Sequence, residues 1–218
     1  MGLLRTIYWK LYPGITNKVV YLKRQICGFN LTYDRVFSLY GLKVKEMDYN
    51  SEKDLKDWCI IMNDSYDDCY YNVQKARQFL SEHPLFANNK SCIFFDADEI
   101  PCASVSWGGY KDNLAIGGDF RIGVRNAYKG KGYGRMCVEY AYSKLAEEGY
   151  KIGETIITSK RIPSIMLHLS LGFYPCYNMK YVTYKHNLKY INLIQRIRLN
   201  LHLYKCYNEY KKKIERFA

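Results

Sequence analysis

A glycine-rich segment flanked by cations is the part of this sequence best suited to chemistry. Glycine has no Cβ, so its backbone can approach a ligand closely. The free N–H groups and the dipole of a following helix favour an anion at its first turn. The segment lies between an apolar, strand-like run at 114–124 and a helical pattern at 133–148, and it reads Lys129-Gly130-Lys131-Gly132-Tyr133-Gly134-Arg135. It therefore predicts a strand, a cradle for a pyrophosphate-sized anion, and a helix.

Two common phosphate-binding motifs do not match this segment. A P-loop needs a Lys-Ser/Thr pair after its second glycine, and a dinucleotide fingerprint needs the spacing Gly-x-Gly-x-x-Gly. Here Gly130, Gly132 and Gly134 stand at equal steps of two. Glu154 follows at the distance of a ribose-binding acid, but it begins an apolar run instead of ending one. Taken alone, the segment is equally compatible with a glycine-rich turn and ordinary surface lysines.

A second segment, at 161–173, narrows the interpretation. It predicts a short helix with Pro163 near its first turn and a glycine cap at Gly172, followed by an aromatic-rich strand. Together the two segments resemble the GNAT superfamily of acetyl-CoA-dependent N-acyltransferases, over about two thirds of the chain from Leu42 to Tyr184. The glycine-rich segment resembles that family's Arg/Gln-x-x-Gly-x-Gly/Ala motif, and Leu171-Gly172-Phe173 resembles the end of its late helix.

The resemblance implies a binding site for acetyl-CoA as co-substrate. The pantetheine arm would run beside the predicted fourth strand, held by backbone groups near Ile122 and Val124. The pyrophosphate would rest on backbone N–H groups of Lys129, Gly130, Gly132, Gly134 and Arg135. The implied activity is transfer of an acetyl group to a primary amine of a small molecule, an amino sugar or a protein.

Two positions depart from the family pattern. The late helix opens with Arg161 where the family often has Asn. His168 stands four residues before Gly172, where the family often has a tyrosine that protonates the departing thiolate. Histidine can serve as an acid near neutral pH, so His168 is a candidate for this role. The alternative is a packed, neutral side chain on a helix face.

The general base is predicted from one acid on the fourth strand. Asp119 is the only acidic residue of the run 114–124, and members of the family sometimes use an acid there. The alternative is a solvated carboxylate or one paired with Arg121. A bulge at Gly117-Gly118 would change the direction of this side chain. Tyr174 is a further candidate for returning the proton, and its alternative is plain packing.

An acidic and aromatic segment is a candidate for contact with the acceptor amine. Residues 63–71 contain three carboxylates among three tyrosines, between the first two predicted helices, which in this family wall the acceptor site. Such a group would suit a cationic amine through charge and cation–π contact. The alternative is a polar loop between helices.

Composition limits the class of protein. Of 218 residues, 48% are hydrophobic, which favours a globular chain over a disordered one. The eight cysteines include no Cys-x-x-Cys pair, so a zinc or redox site is not expected and no metal is predicted. Several lie within apolar runs, as buried reduced thiols do, which favours the cytoplasm.

Charge is divided unevenly along the chain. Residues 1–35 contain six Lys/Arg and one Asp, for a net charge of +5, and residues 185–218 contain nine Lys/Arg and two Glu, for +7. Together these account for the whole +12, and 36–184 is neutral. The sequence therefore predicts a basic N-terminal extension at 1–35, a catalytic domain at 36–184 and a basic amphipathic helix at 185–218.

The basic ends suggest partners of their own. An amphipathic basic helix can lie on an anionic membrane, so a cytoplasmic protein with peripheral membrane contact is one expectation. The alternative is that its apolar stripe packs on the domain or on a second subunit of a homodimer. A competing function is a catalytically weak GNAT-like interaction module that acts through these ends on a membrane or polyanion. Nucleic acid is not expected, since no recognition motif accompanies the basic residues.

The hydrophobic pattern predicts the order of elements. From residue 42 it runs strand, two helices, three strands, the helix 133–148, a strand at 152–158, a helix at 164–171 and closing strands at 173–184. This order predicts an α+β fold with a mixed, mostly antiparallel sheet flanked by helices. It is also the order that the resemblance implies.

Overall fold

The computed structural model describes residues 19–67, 69–158 and 161–175. The elements in chain order are β1 (Val19–Gln25), α1 (Tyr33–Tyr40), β2 (Lys43–Glu46), α2 (Glu52–Ser65), α3 (Val73–Ser81), β3 (Phe86–Phe95), β4 (Pro101–Tyr110), β5 (Asn113–Val124), a 3₁₀ turn (Asn126–Tyr128), α4 (Tyr133–Glu147), β6 (Ile152–Thr158), α5 (Ile162–Ser170) and β7 (Tyr174–Pro175). The chain divides into two compact units. One is Arg24–Thr155, and the other combines Met1–Lys23 with Ile156–Ala218.

A mixed sheet forms the centre of the unit Arg24–Thr155. Its strand order is β2-β3-β4-β5-β6. The first three pairings are antiparallel, and β5 pairs with β6 in parallel, through Ile116–Ile152 and Gly117–Gly153. The predicted α+β fold with a mixed, mostly antiparallel sheet is therefore confirmed.

Burial explains why these segments form this sheet and its helices. Strand β4 lies in the middle of the sheet, and every residue from Cys102 to Tyr110 is buried. Helix α2 begins at the N-cap Ser51, whose side chain accepts a hydrogen bond from the Asp54 N–H. Its apolar positions at helical spacing are all below 1% exposed, as the sequence predicts, and they are Leu55, Trp58, Ile61 and Met62.

The register between β4 and β5 shifts at two places. Gly117 and Gly118 pair with Gly109 and Gly108, and the register shifts directly beside them, between Gly109 and Tyr110. Between the pairs Ser106–Phe120 and Ser104–Gly123, one residue of β4, Val105, faces two of β5, Arg121 and Ile122. Arg121 lies in this bulge with a left-handed φ of 52°. Glycine is required at position 118 because of close packing: a Cβ there would lie 2.2 Å from the Glu154 carbonyl oxygen.

Regular secondary structure lies on both sides of the N-terminal boundary predicted at residue 35. Helix α1, Tyr33–Tyr40, crosses it, and strand β1, Val19–Gln25, lies inside the segment assigned to the extension. Three of the cations counted in the basic segment, Lys23, Arg24 and Arg35, belong to these elements, whose apolar residues Leu22 and Val36 are fully buried.

The other unit contains β1, α5 and β7 among its described residues. Strand β1 pairs with β7 in antiparallel fashion, through Leu22–Pro175 and Lys23–Tyr174. Helix α5 has its proline in the first turn, as predicted. The predicted closing strands beyond Pro175 and the basic segments 1–18 and 185–218 lie outside the described residues. None of the helices in the described ranges has the length and apolar character needed to cross a bilayer.

Candidate functional site

The glycine loop ends where helix α4 begins. Gly130 and Gly132 both have left-handed backbones, with φ of 82° and 81°. Gly132 is the N-cap of α4, and in the described part of the chain no side chain makes a capping hydrogen bond at this end of the helix. A Cβ on Gly130 would meet no described atom within 4 Å, and one on Gly132 would meet only the Tyr40 ring, at 3.9 Å. The loop therefore presents an open backbone surface at an uncapped helix N-terminus, which suits an anion.

A clamp from helix α2 fixes the approach to this loop. Asp64, near the end of α2, accepts a hydrogen bond from the Asn126 N–H at 2.8 Å and another from its amide Nδ2 at 2.9 Å. The same Nδ2 also donates to the Asp64 carbonyl at 2.8 Å. The Arg125 Nε lies 3.6 Å from the Asp64 carboxylate. We call Asp64, Arg125 and Asn126 the loop clamp.

Aromatic rings support the same loop. Tyr128 and Tyr133 stack with ring centroids 6.2 Å apart, and Tyr133 meets Tyr40 edge-on at 6.2 Å. The Tyr128 hydroxyl donates to Asp96 in the turn between β3 and β4. This bond raises the pKa of Tyr128 to about 12 and lowers the pKa of Asp96. Asp96 also accepts from backbone N–H groups of its own turn, as a turn residue should.

The three predicted cations have different partners. Lys131 Nζ lies 5.1 Å from the centroid of the Tyr128 ring. Lys129 Nζ donates to the Asn126 side chain at 2.5 Å, and Arg135 Nε pairs with Glu139 one helical turn later, at 3.0 Å. All three residues are exposed. Their charge is thus available at the loop surface, although Arg135 shares it with a carboxylate.

Strand β5 places the two backbone positions predicted for the pantetheine arm. Val124 pairs with Ala103 of β4. The Ile122 carbonyl accepts a hydrogen bond from the Tyr66 hydroxyl, at 2.5 Å. This contact joins the end of α2 to the bulge of the strand. The parallel pairing of β5 with β6 consists of two residue pairs, the last at Gly117, so Ile122 and Val124 lie beyond it.

The candidate base Asp119 lies in the interior. It is 5% exposed, and its Oδ1 accepts a hydrogen bond from the Tyr142 hydroxyl of α4, at 2.7 Å. Burial and the Asp119 charge raise the pKa of Tyr142 well above its usual range. Glu154 is a second buried acid in this region, and its carbonyl lies 3.2 Å from the Tyr142 hydroxyl. A solvated Asp119 does not fit this structure, because the carboxylate is buried and hydrogen-bonded to tyrosine, and its role as the base stays a prediction.

The other two catalytic candidates belong to the other unit. His168 is fully buried on α5, with Nδ1 2.8 Å from the Ser164 carbonyl and its ring edge-on to Phe173 at 5.2 Å. These contacts are those of a packed side chain, and the proton-returning role of His168 stays a prediction. Tyr174 begins β7 and pairs with Lys23 through the backbone. Its side chain is outside the described part of the structure, so its role also stays a prediction.

The acidic and aromatic segment at 63–71 has an unexpected arrangement. Asp64 belongs to the loop clamp, and Asp68 is outside the described residues. Tyr71 is buried beside Trp58, with ring centroids 4.9 Å apart. The cation–π contact expected for the acceptor amine is made by the chain itself. The Arg121 guanidinium carbon lies 5.2, 5.4 and 5.2 Å from the ring centroids of Tyr66, Tyr71 and Phe79.

Sequence reasoning missed the loop clamp and the position of Arg121. Asp64 and Asn126 are 62 residues apart, so no local pattern joins them. In the sequence, Arg121 looks like an ordinary strand residue, and its left-handed φ is the feature that distinguishes it in the structure. Among the described residues, no group of three or more His, Cys, Asp or Glu side chains has a geometry suited to a metal ion.

Comparisons with known proteins agree with this architecture. A GCN5-related N-acetyltransferase from Kribbella flavida is similar at 15% identity and a TM-score of 0.50, and the alignment covers 73% of this chain and 55% of that one. A putative GNAT-family acetyltransferase from Novosphingobium aromaticivorans has 12% identity and a TM-score of 0.51, with 72% of this chain and 61% of that one covered. A tandem GNAT protein from the clavulanic acid biosynthesis pathway has 12% identity and a TM-score of 0.54, with 73% of this chain and 50% of that one covered. The alignments thus span about half to three fifths of those proteins. A comparison with curated proteins found no match.

The family assignment comes from the sequence itself. The model of the "Acetyltransferase (GNAT) family" matches residues 58–173, which is more than half of the chain. The matched region runs from α2 to the end of the Leu171-Gly172-Phe173 segment. It includes the loop clamp, the glycine loop and the Arg121 bulge. The chain belongs to the GNAT acetyltransferase family.

Proposed function

We propose that this protein transfers the acetyl group of acetyl-CoA to a primary amine. The observation that carries the proposal is the glycine loop, with two left-handed glycines at the uncapped start of α4, inside the region that matches the family. The acceptor class stays open among small amines, amino sugars and protein amines. The whole chain's activity is proposed here from its family and from this loop.

Backbone groups do most of the binding in this proposal. The pyrophosphate of acetyl-CoA is held by N–H groups between Lys129 and Arg135, because a helix N-terminus combines free donors with a favourable dipole. Gly130 and Gly132 fit this role, since their left-handed backbones leave open space where side chains would stand. Lys129 and Lys131 add charge at the exposed surface. Backbone groups near Ile122 and Val124 hold the pantetheine arm.

The chemistry requires two proton transfers. The amine nitrogen forms a bond to the thioester carbon while the carbon–sulfur bond breaks. The acceptor ammonium must first lose a proton to a base, and a second proton must then pass, overall, from the nitrogen to the departing thiolate. We assign the first task to Asp119, directly or through a water molecule, and the second to His168, with Tyr174 as the alternative acid. A backbone N–H of β5 near Ile122 would stabilise the developing charge on the thioester oxygen.

Two measurements on the full chain test this function. Acetyl-CoA should raise the unfolding temperature, since a ligand at 100 times its Kd stabilises the folded state by about 2.7 kcal/mol. Dephosphorylated pantetheine lacks the pyrophosphate and should not do so. Mass spectrometry should then detect an acetylated product among a panel of amines. If millimolar acetyl-CoA causes no thermal shift, the acetyltransferase proposal fails and an interaction module acting through the basic ends takes its place.

A further inference from the structure

Arg121 has a backbone conformation that arginine rarely adopts. It lies in the β5 bulge with φ of 52°, a region that L-residues with a Cβ disfavour. Glycine would fit there without strain. Unusual backbone conformations of this kind gather at ligand sites, where surrounding contacts hold them in place. The observation raises the question of what the Arg121 side chain does.

The Arg121 side chain is held by rings and has no polar partner among the residues that the structure describes. Its guanidinium carbon lies 5.2–5.4 Å from the ring centroids of Tyr66, Tyr71 and Phe79, a group we call the aromatic cage. In the described parts of the chain, its guanidinium makes no ion pair or hydrogen bond. The residue is partly exposed, neither buried nor fully in solvent. The cage therefore positions a cation whose N–H donors stay available.

Such an arrangement suits recognition of an anion. The guanidinium carries five N–H donors in a planar fork that matches the oxygens of a carboxylate or a phosphate. Since the aromatic cage already orders the side chain, little rotamer freedom is lost when an anion binds. The nearest acid along the strand, Asp119, bonds to Tyr142 instead, and Asp64 bonds to Asn126.

The cage also lies next to the strand positions assigned to the thioester. Tyr66 contributes its ring to the cage and its hydroxyl to the Ile122 carbonyl, one residue after Arg121. We propose that Arg121 binds an anionic group, a carboxylate or a phosphate, on the amine acceptor. The substrate class is thus an amine that carries an oxyanion. This inference rests on the proposed acetyl transfer for its site.

Paired acceptors test the inference by turnover. Each pair has the same amine with and without the anion: an amino acid and its carboxamide, an amino sugar phosphate and its free sugar. Arg121→Gln should raise the KM for the anionic member at least tenfold, which is about 1.4 kcal/mol of binding, and leave the neutral member within about twofold. Arg77→Gln is the control, since Arg77 is exposed on α3 and donates to the Tyr49 carbonyl. Equal KM changes for both members would show a structural role and overturn the proposal.

A binding measurement makes the test independent of turnover. The side-chain Nε–Hε resonance of Arg121 in the ¹⁵N-arginine-labelled, CoA-loaded protein is identified by its loss in Arg121→Lys. It should shift saturably with acetate or inorganic phosphate at constant ionic strength, and not with chloride. The anion that saturates at lower concentration identifies the group. The anionic member of each pair should also shift it at lower concentration than the neutral one.

The two proposals fail in different ways. Absence of any shift with acetate and phosphate overturns anion recognition by Arg121 even if acetyl-CoA binds and turns over. Absence of acetyl-CoA binding overturns the acetyltransferase function even if Arg121 titrates with anions. Arg121→Lys keeps the charge and the cage contact but loses the planar fork. If Arg121→Gln does not fold, the same KM difference between paired acceptors is expected in Arg121→Lys, in reduced size.

Discussion

At the residue scale, the Asp119 carboxylate and the Tyr142 hydroxyl form a buried pair on which both stability and catalysis are expected to depend. The hydroxyl donates to Asp119 across 2.7 Å, between β5 and α4. A buried acceptor that loses its donor retains its desolvation cost, which exceeds the net value of an ordinary hydrogen bond. The pair is therefore a structural contact first, and any proton transfer by Asp119 takes place from within it.

The stability of this pair can be measured by removing one hydroxyl. Tyr142→Phe should lower the free energy of unfolding by about 1 to 3 kcal/mol, because the Asp119 carboxylate loses a donor. Tyr140→Phe is the matched control on the same helix. Tyr140 is 4% exposed, and its hydroxyl has no hydrogen bond among the described residues. Urea unfolding of both variants measures the difference, and equal losses would show that the Tyr142 bond contributes no special stability.

Proton handling by Asp119 and His168 needs a kinetic readout. If Asp119 is the base, Asp119→Asn should remove the rise of the rate with pH while leaving acetyl-CoA affinity unchanged. If His168 returns the proton, His168→Phe should lower kcat more than it changes that affinity. Rate profiles and calorimetry on both variants separate these effects from misfolding. Full activity in both variants would refute the two assignments and leave water or Tyr174.

At the element scale, the loop clamp joins helix α2 to the glycine loop. The Asp64 side chain and carbonyl accept three hydrogen bonds from Asn126. The turn that they hold, Asn126–Tyr128, leads directly into Lys129 and the loop. A loop held in its binding conformation loses less entropy when a ligand binds. The clamp should therefore affect cofactor affinity as well as stability.

Breaking the clamp should weaken the binding of acetyl-CoA. Asp64→Ala should raise its Kd about tenfold, equivalent to about 1.4 kcal/mol, because the turn before the loop loses the two carboxylate hydrogen bonds from Asn126 and the ion pair with Arg125. Asp57→Ala is the control on the same helix, because the ion pair of Asp57 within the described ranges is with Lys53 one turn earlier, at 2.8 Å. Calorimetry on both variants provides the comparison. An unchanged Kd in Asp64→Ala would mean that the loop holds its shape without the clamp.

Local patterns predicted most elements of the fold. Helix α2 follows from a capping serine and apolar residues at helical spacing, and β6 was predicted at its observed bounds, Ile152–Thr158. Strand β1 was missed because its residues, Val19–Gln25, include two cations in a basic region. The features that local patterns did not predict depend on pairing between residues far apart in the sequence. The bulge at Arg121 depends on how β4 and β5 align, which a strand's own sequence does not determine.

The site was only partly predictable for the same reason. The glycine loop was found because its signal is contiguous in the sequence, from Lys129 to Arg135. Asp64 was assigned to the acceptor by composition, whereas its role follows from a partner 62 residues away. Asp119 was correctly placed on its strand, but its burial beside Tyr142 depends on how α4 packs.

At the scale of the whole molecule, the uneven distribution of charge is the main feature. The formal net charge of +12 belongs entirely to residues 1–35 and 185–218, and the middle of the chain is neutral. Each lysine or arginine near an anionic bilayer contributes on the order of 1 kcal/mol. These ends are therefore candidates for a peripheral membrane contact that the catalytic domain itself would not make.

Sedimentation with vesicles tests the contact of the basic ends. The full chain should sediment with phosphatidylserine-containing vesicles at low salt and be released at high salt, because salt screens the attraction. Neutral vesicles are the control. Removal of 185–218 should reduce binding strongly, since that segment carries +7. If the intact protein stays in the supernatant at low salt, the basic ends pack on the protein or on a second subunit instead.

The glycine loop is the feature on which the proposed function depends most directly. Gly132 and Gly149 lie at opposite ends of helix α4, and both have left-handed backbones, with φ of 81° and 91°. Neither has a described atom close enough to exclude a Cβ. Valine at either position therefore brings similar backbone strain, about 1 to 2 kcal/mol. Only Gly132 lies in the loop assigned to the pyrophosphate.

The different positions of Gly132 and Gly149 allow a direct test. The full chain is titrated with acetyl-CoA in a calorimeter, below the unfolding temperature of each variant. The wild-type protein and Gly149→Val should bind acetyl-CoA with similar affinity, and Gly132→Val should show no measurable binding. Circular dichroism should show that all three proteins are folded. Unchanged affinity in Gly132→Val, or no binding by the wild-type protein, would contradict the assignment of this loop as the acetyl-CoA site.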